Sequence, residues 1–183
     1  MLPDFTLDSL YELFPNSPDQ PHVEPIRGDL VPEPYRTLLV HNHHMTVTVE
    51  EFYGRAVDVS VLDSRTQGAT YARKSLLNLR PGGEVVQFGL VDIDLAKLSP
   101  TVREQIVEQK TPLGRVLIQN DVLRTVRPIQ FFRVTPTKTM CDWFGMKEPA
   151  ATYGRLGVIT ADGESAIRVA EILTPVEAVR SRS

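Results

Sequence analysis

Two runs of alternating side chains, Thr70 to Leu79 and Val85 to Asp92, flank the segment Arg80-Pro-Gly-Gly-Glu84. Proline followed by two glycines supplies the backbone angles that a hairpin turn requires. The two runs are therefore predicted as antiparallel neighbours, and the rest of the chain must pack around that pair. A third run, Ala56-Val-Asp-Val-Ser-Val-Leu62, places Val57, Val59 and Val61 on one face. Residues Asp121 to Val134 read as a long strand interrupted at Pro128. Two closing strands, Arg155 to Thr160 and Ala166 to Thr174, flank the turn Ala161-Asp-Gly-Glu-Ser165.

Helices are expected between these strands. Tyr35 to His41 is one, and a second runs from a Thr46 cap through Glu51 to its stop at Gly54. Ser99 and Pro100 open a third, with Val102 and Ile106 on a shared face. A fourth begins at Pro112 and points Leu113, Val116 and Leu117 inward, whereas residues 135 to 150 read as an irregular crossing. Hairpin-linked strands with helices grouped between them define an α+β fold on an antiparallel sheet. Seven of the 14 prolines fall within the first 34 residues. Each biases its predecessor away from helix, so residues 1–33 are expected to form an extended arm over a single domain of residues 34–183. Within that arm Leu7, Leu10, Tyr11 and Phe14 line one face of a short helix.

Composition narrows the function. The 183 residues fit one domain, and 42% hydrophobic content is enough for a core. No apolar run approaches the roughly eighteen residues of a membrane helix, and the start lacks the layout of a secretory signal. A net charge of −3 without a basic stripe argues against nucleic acid. The single cysteine, Cys141, allows no internal disulfide and reads as packing. The expectation is a soluble cytoplasmic protein with no nucleic-acid or membrane partner. There is no phosphate-binding glycine motif, so no nucleotide cofactor is expected. His41-Asn-His-His44 lacks the spacing and companion ligands of a metal site and reads as a solvated loop, so no metal is expected.

Three features carry candidate chemistry. In Ala166-Ile-Arg-Val-Ala-Glu-Ile-Leu173 strict alternation puts Glu171 on the inward face with Ile167, Val169 and Leu173. An inward carboxylate must be paired or protonated. Arg73 shares a face with Tyr71, Ser75 and Leu77, where a guanidinium suits a ligand carboxylate; equally, it neutralises Glu171 across the sheet. Thr111-Pro-Leu-Gly-Arg115 presents the free N–H groups of Leu113 and Gly114 at a helix start, which attracts anions, and Gly114 permits close approach.

In chain order these pieces resemble the chorismate pyruvate-lyase family over roughly residues 35 to 175. The motifs are His44-Met-Thr46, Gly54, Val57-Asp-Val-Ser-Val61, Tyr71-Ala-Arg-Lys-Ser-Leu-Leu77, Phe88-Gly89, Thr111-Pro-Leu-Gly-Arg115 and Ala170-Glu-Ile-Leu-Thr-Pro175. The resemblance implies a chorismate lyase-like antiparallel sheet of about six strands with helices packed on one side. It also implies a cofactor-free lyase that cleaves chorismate to 4-hydroxybenzoate and pyruvate. Carried over, Arg73 grips the ring carboxylate, and the backbone N–H groups of Met45 and Leu113 add hydrogen bonds. Gly89 keeps the pocket wall thin, and Glu171 meets the ring hydroxyl. The chain departs from the pattern at His44, where the lyases carry a small polar residue.

Two other readings stand beside the lyase. The fold is also similar to the effector-binding domain of GntR-type regulators, which bind a small molecule without turnover, although residues 1–33 are too short and too poor in bases for a winged helix. A partner-binding role for the arm is the third.

Overall fold

The computed structural model describes residues 5–181. Seven strands, β1 (His22–Ile26), β2 (Val57–Gln67), β3 (Thr70–Leu79), β4 (Val85–Asp94), β5 (Arg124–Thr135), β6 (Thr152–Ala161) and β7 (Glu164–Leu173), form one sheet in the order β1-β5-β6-β7-β4-β3-β2. Every neighbouring pair is antiparallel. The β3–β4 hairpin forms at the Pro-Gly-Gly turn, where Gly82 and Gly83 take φ of +117° and +79°. Glycine, which has no Cβ, adopts such angles at little cost. The α+β class with an antiparallel sheet is the one expected. The interruption expected at Pro128 is a register shift between Pro128 and Gln130.

The seventh strand comes from the arm. Residues expected to lie irregularly over the surface instead supply β1, an edge strand against β5 in which Pro25 sits opposite Phe132. Proline is tolerated there because an edge strand has one ladder to satisfy, not two. The arm also forms α1 (Leu7–Tyr11), whose Leu7, Leu10 and Tyr11, with Phe14 beyond it, are buried in the core.

The main helical layer covers one face. There α4 (Pro100–Val107) and α5 (Leu113–Gln119) pack on Tyr71, Val91, Ile159 and Val169. Beside them α2 (Tyr35–Leu39), α3 (Met45–Tyr53) and α7 (Val176–Arg180) pack on Val57, Leu77, Leu79 and Leu173. The opposite face buries Ala72, Leu76, Phe88, Leu90 and Leu156 beneath α1 and α6 (Lys138–Phe144). Helix α6 lies in the stretch expected to be irregular. Its brackets are Thr137, whose hydroxyl accepts from the Met140 N–H, and Gly145 at φ +57°.

On that opposite face Lys74 points away from Arg73, as alternation requires, yet it is almost fully buried. Its Nζ donates to Asp19 Oδ1 at 2.7 Å and Ser17 Oγ at 2.9 Å. It also lies against the rings of Tyr11 and Phe14. The Tyr11 hydroxyl meets the same Asp19, and burial raises its pKa. This cluster clasps the arm to the sheet.

Candidate functional site

Sheet register creates the site. On the face beneath α3 and α5, successive rungs present Arg73 beside Val91, then Ser75 beside Gly89 beside Glu171, then Leu77 beside Gln87 beside Leu173. Strands about 4.8 Å apart and residues about 3.4 Å apart along each strand put the Cα atoms of Arg73 and Glu171 about 12 Å apart. Both side chains, with Met45, Gly89, Leu113 and Gly114, line one cavity of about 50 Å³. All six candidate residues therefore meet at one place.

Arg73 is the unusual member. It is 2% exposed, and its Nε and Nη1 have no hydrogen-bond acceptor. Burial pushes its pKa below the ordinary arginine value, with Tyr71 offsetting part of the effect. The guanidinium stays charged, so a buried cation here faces a desolvation penalty that Tyr71 offsets only in part.

Glu171 does not neutralise Arg73. Its partner is Arg155, directly opposite in the β6–β7 ladder, with Nε to Oε2 at 2.6 Å. Arg155 is 1% exposed and fully engaged: Nη1 donates to the carbonyls of Leu39 (2.9 Å) and His41 (3.0 Å), and Nη2 to that of His43 (3.1 Å). One guanidinium thus holds the candidate carboxylate and ties down the loop before α3. Of the two roles open to Arg73 from the sequence, charge partner of Glu171 is the one the structure overturns.

The histidine loop is correspondingly not a solvated loop throughout. The His41 ring donates from Nε2 to the Leu38 carbonyl at 2.7 Å and accepts from the His43 N–H at Nδ1. His44 is 9% exposed, and its Nε2 accepts from Arg124 Nε at 2.8 Å. Burial, reinforced by the Arg124 charge, lowers its pKa to about 4, so the ring is neutral at pH 7. His44 lines both the cavity and a wider outer groove bounded by Val122 and Arg124, and so forms the wall between them. Among the described residues no cluster of three or more His, Cys, Asp or Glu is arranged to hold a metal ion.

Two helix starts reach the cavity. His44, not Thr46, is the N-cap of α3, and Pro112 is the N-cap of α5; neither gives a side-chain cap. The N–H groups of Met45 and Leu113 at the first helical positions are therefore available to an anion. Gly114 lines the cavity and also has a packing role. A Cβ there would lie 3.0 Å from Thr46 Oγ1 and 3.1 Å from His44 Cβ, so the glycine lets α5 approach the start of α3. Gly89 does leave space: a Cβ there would meet nothing closer than Gln87 Nε2 at 3.6 Å.

Three contributors were not singled out from the sequence. Arg155 shares a strand face with Gly157 and Ile159, so the alternation argument applied to Glu171 would have marked it. His44 enters the sequence reading as part of the histidine loop, of one motif and as a departure, but not as a site residue. Gln87 lines the cavity, is 6% exposed, and has a buried Oε1 with no hydrogen-bond donor. Its signal was a polar residue amid Val85-Val-Gln-Phe-Gly-Leu90.

No family model and no curated protein matches this chain. Among solved structures it is similar to PhnF from Mycobacterium smegmatis, at 13% identity and a TM-score of 0.53, covering 91% of this chain and 78% of that one. It is also similar to the effector domain of PhnF, at 11% identity and a TM-score of 0.51 over 72% of this chain and 88% of that one. A GntR-family transcriptional regulator from Bacillus cereus aligns at 12% identity and a TM-score of 0.44 over 65% and 92%. The first two likenesses establish the fold, which is chorismate lyase-like. No helix among the described residues is long and apolar enough to cross a membrane.

Proposed function

We propose that this domain is a binding module for a small carboxylate, held as an effector-type ligand without turnover. The observation that carries the reading is Arg73, a cation buried to 2% exposure in a cavity where neither Nε nor Nη1 has an acceptor. A carboxylate satisfies a guanidinium fork with two parallel hydrogen bonds. The uncapped starts of α3 and α5 supply further N–H donors at the same cavity. The cavity is small and partly apolar, with Val59, Val91 and Val169 in its walls, which suits a compact organic anion. The likeness in fold to the PhnF effector domain supports the same reading.

The test is thermal unfolding of the purified protein against a series of small carboxylates led by benzoate. A ligand at one hundred times its Kd adds about 2.7 kcal/mol of stability. The expected result is stabilisation by carboxylates that vanishes in Arg73→Met, with the matching amides inert. Stabilisation by benzamide as well as benzoate would sink the carboxylate reading.

A second reading, cleavage of chorismate to 4-hydroxybenzoate and pyruvate, is favoured by Glu171 lining the same cavity as Arg73. There Arg73 anchors the ring carboxylate and Glu171 orients the hydroxyl, while the ring carbon–oxygen bond to enolpyruvate breaks and a ring hydrogen leaves as a proton, giving pyruvate and the aromatic product. Its test is incubation with chorismate, following pyruvate and the aromatic product together. Pyruvate release that is lost in Glu171→Gln supports turnover. Saturable binding of chorismate with no pyruvate removes it.

A further inference from the structure

We infer that Gln109, in the turn between α4 and α5, is a positioning residue for Arg73: through the Tyr71 hydroxyl it holds the guanidinium in the orientation that receives a ligand. The inference rests on the carboxylate reading of Arg73 and adds to it a residue that does not itself line the cavity.

The backbone at Gln109 is the first sign. Gln109 follows Glu108, the C-cap of α4, and takes φ of +62°. Helices commonly end with glycine at this place, because a Cβ is disfavoured in the left-handed region. Among the described residues four other than glycine have positive φ, and the three besides Gln109 are Asn16, Asp121 and Asp162. Short Asn and Asp side chains tolerate that region through local hydrogen bonds, a help that glutamine lacks. What the glutamine gains lies at the end of its side chain.

There the amide Nε2 donates to the Tyr71 hydroxyl and to Ser64 Oγ, each at 2.9 Å. Both acceptors adjoin Arg73. Tyr71 precedes it by two residues on the same face of β3, and Ser64 stands directly opposite it in the β2–β3 ladder. One amide thus grips the neighbour of Arg73 along the strand and its neighbour across the ladder, and both amide hydrogens are used.

Tyr71 passes that grip to the guanidinium. It is 2% exposed, and it offsets part of the burial of the Arg73 charge. Because Arg73 Nε and Nη1 have no acceptor, Tyr71 is the polar group that steadies the guanidinium before a ligand arrives. Ordering a rotamer-rich side chain on binding weakens affinity by about two- to tenfold, and a side chain ordered in advance escapes that loss. Gln109 supplies the ordering from outside the cavity.

The experiment measures benzoate affinity by calorimetry and Tm by circular dichroism for the wild-type protein, Gln109→Gly, Tyr71→Phe and the double variant. Glycine is the residue this backbone favours, so Gln109→Gly should keep Tm close to wild type while Kd rises roughly three- to tenfold. Tyr71→Phe should raise Kd by a similar factor, and the double variant should lose no more than the larger single loss, because the two residues act in series. The Arg73 Nε–H signal in 15N NMR, assigned by its absence from Arg73→Met, gives a readout apart from affinity. Without ligand it should be a single sharp line in the wild type and broadened in Gln109→Gly. Unchanged affinity in Gln109→Gly overturns the inference and leaves the carboxylate reading standing. Additive losses assign Gln109 a route other than Tyr71, such as stapling through Ser64 the turn that leads to Leu113, and overturn it as well. A fall in Tm that matches the loss of affinity assigns Gln109 to holding that turn, with the same consequence. Absence of benzoate binding by the wild type overturns the inference together with the reading beneath it.

Discussion

Replacing Arg73 by methionine should make the empty protein more stable while destroying its capacity for ligand. Methionine keeps the unbranched apolar stem and removes a charge whose Nε and Nη1 have no acceptor in the folded state. Replacing buried charged groups by apolar residues of similar volume is commonly neutral or stabilising by about 1–4 kcal/mol. The lower part of that range applies here, about 1–2 kcal/mol, because the cavity at about 50 Å³ is large enough to admit water. For a chain of this length each kcal/mol moves Tm by about 2–4 °C, so a rise of roughly 2–8 °C is expected. The companion substitution Arg155→Met should do the reverse. It strands the Glu171 carboxylate and frees the carbonyls of Leu39, His41 and His43, lowering stability by about 3–5 kcal/mol. Urea unfolding followed by circular dichroism, with and without benzoate, measures both. Destabilisation by Arg73→Met of the size seen for Arg155→Met would show that the Arg73 charge is satisfied in the folded protein, and would refute the reasoning.

Three further outcomes are expected. Gly89→Ala should fold with stability within about 1 kcal/mol of wild type, because its Cβ meets only ordinary contacts, yet weaken carboxylate binding by raising the cavity floor; unchanged binding in titrations would place the ligand elsewhere. His44 has a folded pKa of about 4 against 6.5 when unfolded, so the unfolded chain takes up the proton first as pH falls. Its contribution is intact above pH 6.5 and lost by about pH 4, a loss of about 3 kcal/mol that His44→Gln should lack when the two unfolding free energies are compared across that window. Asp19→Ala should leave Lys74 buried without its carboxylate and lower stability by about 3–5 kcal/mol, with faster proteolysis within residues 5–20. Unchanged proteolysis would mean that Lys74 does not hold the arm.

Much of the site was legible because a strand has a period of two. Once the hairpin at Pro81-Gly82-Gly83 is recognised, alternation alone sends Arg73 and Lys74 to opposite faces and groups Glu171 with Val169 and Leu173. The helix start at Leu113 follows from Pro112, and the end of α3 from Gly54, each through local backbone preferences that no distant contact needs to supply. The irregular reading of residues 135 to 150 overlooked Thr137 and Gly145, two cap residues spaced for a short helix. The arm was misplaced for a different reason. Its prolines describe the chain's local stiffness, while its place in the sheet depends on an edge of β5 that lies far away in sequence.

Local sequence order sets which side chains share a face, where the main turns fall, and that a guanidinium and a carboxylate point into the same layer. Those properties depend on residues within a few positions of one another. Which charged group pairs with which is settled in the folded sheet. The register of β6 against β7 puts Arg155 opposite Glu171, and that choice leaves Arg73 unpaired. Register is settled by the packing of both sheet faces at once, on α1 and α6 below and on α3 and α5 above, so no local pattern encodes it. The unmatched charge on which the binding reading depends is a product of that packing.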